Sequence, residues 1–224
     1  PGVEGTQVGG DWYDVINLGG GRTGLVIGDV MGRGVRAAAV KGQIKAAVRA
    51  FARLDLTPGE VMQNLDGIVQ DVAPLGIVTC VYGVYDDTDR SLSYANAGHL
   101  PPILVHPDGT ASRLPVDGPP LGAGYVGFET RRVELPVGGL LTVYTDGLLE
   151  RRGTDLGLRL DALERALVEH REAEVADLPA ALVGLLADGA SDDVALAVVR
   201  VHDSGSEGMR LSLSENLSAV ATAR

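Results

Sequence analysis

Twice along this chain one long helical pattern is followed directly by another, while every other apolar run is short and ends at a turn signal. Residues 35–54 place Val40, Ile44, Ala47, Val48 and Phe51 at steps of three or four, one face of a helix. Thr57-Pro58-Gly59-Glu60 then offers an N-cap threonine, a proline at the first helical position and a glutamate three after the cap. A second helix is expected from there to Val72. The other pair is expected at 158–170 and 175–187. Strand-like runs lie at 8–18, 24–30, 78–85, 91–96, 103–106, 110–114, 128–135, 140–145 and 194–201. Several are joined by hairpin turns such as Asp86-Asp87-Thr88-Asp89 and Pro107-Asp108-Gly109. Hairpins with helices inserted in pairs predict an α+β fold of antiparallel sheets, arranged as a helix-covered sandwich, rather than parallel βαβ units.

Composition narrows the function classes. The 224 residues suit one large domain, or one domain with an appendage. A net charge of -11 repels phosphate backbones, so no nucleic-acid partner is expected. The single cysteine, Cys80, excludes an internal disulfide and reads as a small core residue within Ile77-Val78-Thr79-Cys80-Val81-Tyr82. No apolar stretch approaches the ~20 residues of a membrane span, and Pro1-Gly2-Val3-Glu4 shows no signal pattern. No membrane partner and a cytoplasmic location are therefore expected. From Asp203 the character changes: 203–208 reads as a linker, 210–213 as the start of a strand and 215–224 as the start of a helix.

Four aspartates sit beside glycines or at the ends of apolar runs: Asp11 in Gly9-Gly10-Asp11-Trp12-Tyr13-Asp14, Asp29 in Gly28-Asp29-Val30-Met31-Gly32, Asp146 in Tyr144-Thr145-Asp146-Gly147, and Asp192 in Ser191-Asp192-Asp193-Val194. Burying such a carboxylate unpaired costs on the order of several kcal/mol. No lysine or arginine lies beside these four at close sequence spacing. A shared cation is the economical partner, and hard oxygen donors without a His/Cys cluster suit Mg²⁺ or Mn²⁺ rather than zinc. Taken singly, an Asp-Gly pair is more often a turn and an aspartate before a strand more often solvated. Four on one plausible sheet edge weigh the other way.

The two glycine-aspartate runs, the second continuing to Arg33-Gly34, resemble those of the SpoIIE/RsbU-type branch of the PP2C-like (PPM) phosphatases. So do Asn96-Ala97-Gly98-His99-Leu100-Pro101-Pro102, Gly118-Pro119-Pro120-Leu121-Gly122, Tyr144-Thr145-Asp146-Gly147 and Asp192-Asp193-Val194, all in family order over residues 8–201. The resemblance implies a four-layer αββα sandwich of two mainly antiparallel sheets over residues 1–202, its first strand truncated at the N-terminus. It implies two Mn²⁺ or Mg²⁺ ions at one end: Asp29 bridging them, the Val30 main-chain carbonyl as a further ligand, Asp146 and Asp192 on the second ion, and Asp11 on the first, directly or through water. Asp193 and Asp14 are secondary candidates. The implied reaction is hydrolysis of phosphoserine or phosphothreonine by a metal-bridging hydroxide, so Asp29, Asp146 and Asp192 act in catalysis through activated water. The implied substrate is a phosphorylated STAS-domain antagonist of an anti-sigma factor. The resemblance also implies fusion to a sensor or to an anti-sigma-type ATPase domain beginning within 203–224, and it leaves a homodimer open.

The chain departs from the wider family in three places. Met31 stands where eukaryotic enzymes carry a histidine, the arginine that grips phosphate before the first motif has no counterpart, and Ala195 replaces a threonine. Two other functions stay in view: a pseudophosphatase that binds a phosphorylated partner without turnover, and a hydrolase of small phosphoesters. The second would normally enclose its substrate in a pocket, whereas an open metal edge suits a protein loop. Gly19-x-Gly21-x-x-Gly24 fits a dinucleotide-binding pattern but opens no helix, so phosphate has no helix N-terminus to meet. His99, in a Gly-x-x-Pro-Pro corner, reads as a hydrogen-bonder that fixes the loop rather than a ligand or acid. The helices at 35–54 and 57–72, which follow the Asp29 corner, read as a lever on the site.

Overall fold

The computed structural model describes residues 9–74, 76–125, 127–150, 153–187 and 193–202, and the backbone of 209–215 and 219–223. The strands are β1 Trp12–Gly19, β2 Arg22–Val30, β3 Val78–Asp86, β4 Ser91–Ala97, β5 Ile103–Val105, β6 Ala111–Arg113, β7 Arg131–Glu134, β8 Leu140–Tyr144, β9 Ala195–Val201, β10 Met209–Glu215 and β11 Ala219–Ala223. The helices are α1 Val35–Phe51, α2 Pro58–Val72, α3 Leu156–Glu169 and α4 Leu178–Leu186. Among the described residues the strands form two sheets, ordered β1-β2-β3-β4-β7 and β11-β10-β9-β8-β5-β6, with every ladder antiparallel.

Period-two alternation divides each strand between two cores. In β2, Val26 packs with Val40, Ile44 and Val48 of α1 and Val61, Leu65 and Val69 of α2. Its neighbours Leu25 and Ile27 point the other way and meet Leu141 and Val143 of β8 and Ala197 and Val199 of β9. Leu140 and Tyr144 of β8 turn outward again, onto Leu163 and Leu167 of α3 and Leu178 and Leu182 of α4. Three apolar layers thus separate four layers of secondary structure, the αββα sandwich of PP2C-like folds. The helix starts follow local chemistry. Thr57 and Glu60 form a reciprocal capping box at α2, and the Asp155 carboxylate accepts from the amides of Gly157 and Leu158 at α3.

The tail differs from its sequence expectation. In the segment expected to begin a helix, the described residues 219–223 form a strand instead: β10 joins the edge of β9 and β11 runs antiparallel to β10, pairing Leu213 with Ala221. Val220 and Thr222, both β-branched, suit the strand that forms. The strand expected at 128–135 shortens to Arg131–Glu134. No helix among the described residues is long and apolar enough to cross a membrane.

Candidate metal centre

An antiparallel ladder brings the first two carboxylates together. β1 pairs Trp12 with Gly28, so Asp11, just before β1, stands beside Asp29 near the end of β2. Alternation then sets the face. Asp29 follows Leu25 and Ile27 in phase, and Asp11 precedes Tyr13 and Val15 in phase, so both aspartates belong to the face turned toward the second sheet. The third carboxylate arrives from that sheet: β8 ends at Tyr144, and Asp146 opens a short 3-10 turn. One carboxylate oxygen each from Asp11, Asp29 and Asp146 lies within 4.8 Å of the other two.

The surroundings press the chain onto this cluster. A Cβ on Gly10 would lie 2.1 Å from the Val30 carbonyl oxygen and 2.6 Å from Asp29 Oδ1. One on Gly9 would lie 1.2 Å from Asp193 Oδ2. Glycine is therefore required at Gly10, against the Val30 carbonyl, while at Gly9 a side chain would displace the Asp193 carboxylate. The Lys41 ammonium of α1 donates to the carbonyls of Gly9 (3.0 Å) and Asp11 (3.1 Å), tying the helix to the same segment. Thr145 Oγ1 donates to Asp11 Oδ2 (2.5 Å) while accepting from the Ala195 amide (2.8 Å), so its proton is aimed at the carboxylate. Burial pushes the Asp11 carboxyl up to about 8; the Thr145 hydrogen bond opposes the rise, and the charges of Asp29 and Asp146 add to it.

Asp14 has another role. It shares the helix-facing phase of Trp12 and Ile16, and its carboxylate takes a two-pronged contact from Arg49 of α1 (NH2 to Oδ1, 2.8 Å) and the Val15 amide (3.0 Å). It is not among the converging carboxylates, and its partner lies 35 positions away, beyond any local reading of the sequence. Asp192 lies outside the described residues. Thr145 and Lys41 were not singled out from the sequence. Thr145 had a visible signal inside the Tyr144-Thr145-Asp146-Gly147 motif; Lys41 had only its place beside the buried stripe of α1.

His99 links the two sheets immediately behind the cluster. Thr79 stands opposite Asp29 in the β2–β3 ladder, and its hydroxyl lies 2.8 Å from His99 Nδ1. His99 Nε2 lies 3.0 Å from the Tyr144 carbonyl, two residues before Asp146. A carbonyl only accepts, so Nε2 carries the proton and Nδ1 accepts from Thr79. Both ring nitrogens are thereby engaged within the protein, which leaves neither for a metal, and burial lowers the ring's pKa to about 4, so it is neutral at physiological pH and no acid. Replacing His99 by leucine removes the partner of the half-buried Thr79 hydroxyl and of the buried Tyr144 carbonyl. Denaturant unfolding should show a loss of about 3 kcal/mol. His99→Gln, whose amide can still donate to Tyr144, should recover part of that loss; equal stability of both variants with wild type would remove the pin.

The donor set fits a hard divalent cation. Three carboxylates supply oxygen ligands, no His or Cys joins them among the described residues, and burial together with the charges of Asp29 and Asp146 makes ionised Asp11 costly, a cost that a cation would relieve. Comparison with known proteins gives the family. The family model described as Stage II sporulation protein E (SpoIIE) matches residues 19–202. Phosphoserine phosphatase RsbU of Bacillus subtilis is 28% identical over 174 residues, 75% of this chain and 51% of RsbU. Phosphoserine phosphatase RsbP of the same organism is 26% identical over 179 residues, 77% of this chain and 43% of RsbP. Protein IcfG of Synechocystis is 29% identical over 176 residues, 65% of this chain and 28% of IcfG. The chain thus spans about half or less of the curated relatives it matches. Among solved structures, the RsbU and RsbW domains of Rv1364c from Mycobacterium tuberculosis superpose with a TM-score of 0.79 at 32% identity, covering 96% of this chain and 57% of that one. The PP2C phosphatase domain of SpoIIE from Bacillus subtilis gives 0.72 at 20% identity, covering 86% and 58%, a likeness of fold. The matched family model, the shared fold and the order of its motifs make this chain a member of the SpoIIE family.

Proposed function

We propose that the chain is a divalent-cation-dependent protein serine/threonine phosphatase. The observation that carries this reading is the convergence of Asp11, Asp29 and Asp146 from three separate segments onto one point. Mn²⁺ or Mg²⁺, as a pair, would be held by these three side chains together with Asp192 and the Val30 carbonyl. When bound, the cations lower the pKa of water for in-line attack on phosphorus and neutralise the phosphoryl oxygens.

The chain's own residues do the positioning. Thr145 orients one oxygen of Asp11, Lys41 holds the main chain on either side of it, and Gly9 and Gly10 let Asp193 and the Val30 carbonyl approach. Cys80, buried with its thiol pKa pushed up by desolvation, offers no thiolate nucleophile. The substrate class is phosphoserine or phosphothreonine on a protein, specifically a STAS-type antagonist of an anti-sigma factor. The naming of RsbU and RsbP as phosphoserine phosphatases supports the first part. We read 203–224 as leading toward a following ATPase-like domain, in line with the paired RsbU and RsbW domains of the mycobacterial relative.

Turnover of p-nitrophenyl phosphate tests the reading. Hydrolysis should appear on adding Mn²⁺ and vanish with EDTA. A protein that binds Mn²⁺ and a phosphoprotein but releases no phosphate from either substrate would be a pseudophosphatase instead.

A further inference from the structure

The corner that follows Asp29 carries apolar side chains that none of the three cores uses. Met31 is 60% exposed, Val35 at the start of α1 88%, and Ile77 45%. The Met31 amide donates to the Ile77 carbonyl (3.0 Å), so these two stand on adjoining backbones. Scattered exposed apolar residues need no explanation, but three around one corner beside converging carboxylates do. The charge there is also unusual for this chain. Arg33 and Arg36 are exposed, and α1 adds Lys45 with no acidic residue of its own, while its Arg49 is paired with Asp14 and its Lys41 with main-chain carbonyls, in a protein of net charge -11. The flank of the site is basic where the chain as a whole is acidic.

Resting on the phosphatase reading, we propose that this corner docks the substrate segment carrying the phosphorylated residue. The segment it selects is acidic and places an apolar side chain within a few residues of the phosphoserine. Position argues for that occupant. Met31 is two residues from Asp29, and an extended chain advances about 3.3 Å per residue, so a peptide whose phosphate reaches the carboxylates has its neighbours over Met31 and Ile77. Charge argues for it too: Arg33 and Arg36 lie where an acidic segment would pass, in a chain whose net charge of -11 disfavours one in general. Apolar contact then supplies affinity that a small phosphoester cannot use.

The test uses the full chain with Mn²⁺, p-nitrophenyl phosphate as reference, and two phosphoserine peptides of equal length. One carries Glu and Leu around the phosphoserine, the other only Gly and Ser. The first should show a kcat/KM about ten-fold higher, through a lower KM. Met31→Glu with Ile77→Glu should erase that preference without changing p-nitrophenyl phosphate turnover. Arg33→Glu with Arg36→Glu should remove the part that weakens with salt. Equal hydrolysis of the two peptides by wild type overturns the proposal. So does a preference that survives both double variants, or one that persists while the apolar variant changes oligomeric state by size exclusion, which makes the corner a contact between copies. Loss of p-nitrophenyl phosphate turnover in the same proportion as peptide turnover also overturns it, since the residues then only support the corner. If wild type hydrolyses none of the three substrates, the phosphatase reading fails. Fluorescence anisotropy of the Glu/Leu peptide on wild type and Met31→Glu/Ile77→Glu then decides docking by itself, with about ten-fold weaker binding expected for the variant.

Discussion

Asp29→Ala should lower Mn²⁺-dependent hydrolysis of p-nitrophenyl phosphate by about a thousand-fold, and Asp146→Ala by a similar factor, with the fold intact. The factor corresponds to about 4 kcal/mol of transition-state stabilisation, the size expected when a preorganised electrostatic group is removed. Folding should survive because the carboxylates repel one another in the metal-free protein: each of Asp29 and Asp146 raises the pKa of Asp11. Above pH 8, where Asp11 is ionised, removing either charge relieves that repulsion, so thermal melts in EDTA at such a pH should show a Tm equal to or above that of wild type. This separates the metal role from a packing role, in which activity and stability would fall together. Hydrolysis within ten-fold of wild type in both variants, with the same Mn²⁺ dependence, would remove the mechanism.

The second large effect is on stability against pH. The Asp11 carboxyl titrates at about 8 in the folded metal-free protein, against 3.8 for the ordinary group. Between those values the folded state holds a proton that the unfolded state has released, so stability falls as pH rises from about 4 to about 8. The expected loss is on the order of a few kcal/mol. It should appear as a declining Tm in EDTA, and saturating Mn²⁺ should flatten the decline because a cation favours the ionised form. Asp11→Asn keeps an acceptor for the Thr145 hydroxyl but carries no charge. It should therefore be more stable than wild type at pH 8 in EDTA and equal to it near pH 4, while gaining less from Mn²⁺. An Asp11→Asn protein whose Tm falls with pH as steeply as wild type would place the titrating group elsewhere. The site on this reading is bought with stability, a common trade at functional positions.

Much of the architecture is legible in the sequence because it depends on local periodicity. The helix pairs follow from the spacing of Val40, Ile44 and Val48 and from the Thr57–Glu60 box. The hairpins follow from their turns, and alternation along β2 and β8 foreshadows residues serving two different cores. The helix expected near the end of the chain gives way, over the described residues 219–223, to a strand that depends on pairing with β10 rather than on a pattern of its own. Asp14 shows a similar limit: its motif makes it look like a neighbour of Asp11, but strand alternation turns it to the other face, toward Arg49.

The sequence alone determined which residue types were available: carboxylates at strand ends, glycines beside them, and no cysteine or histidine cluster suited to other chemistry. It also carried the family, since motif order is a property of the chain itself. Only the tertiary structure decided which carboxylates meet. Asp11 and Asp29 come together through a hairpin register, but Asp146 reaches them across the gap between two sheets, over 100 residues along the chain, and no local rule encodes that distance. Tertiary contact likewise made Lys41 and Thr145 supports of the site and His99 a neutral pin. Burial and hydrogen-bond partners, which set charge state and orientation, exist only once separate segments have packed.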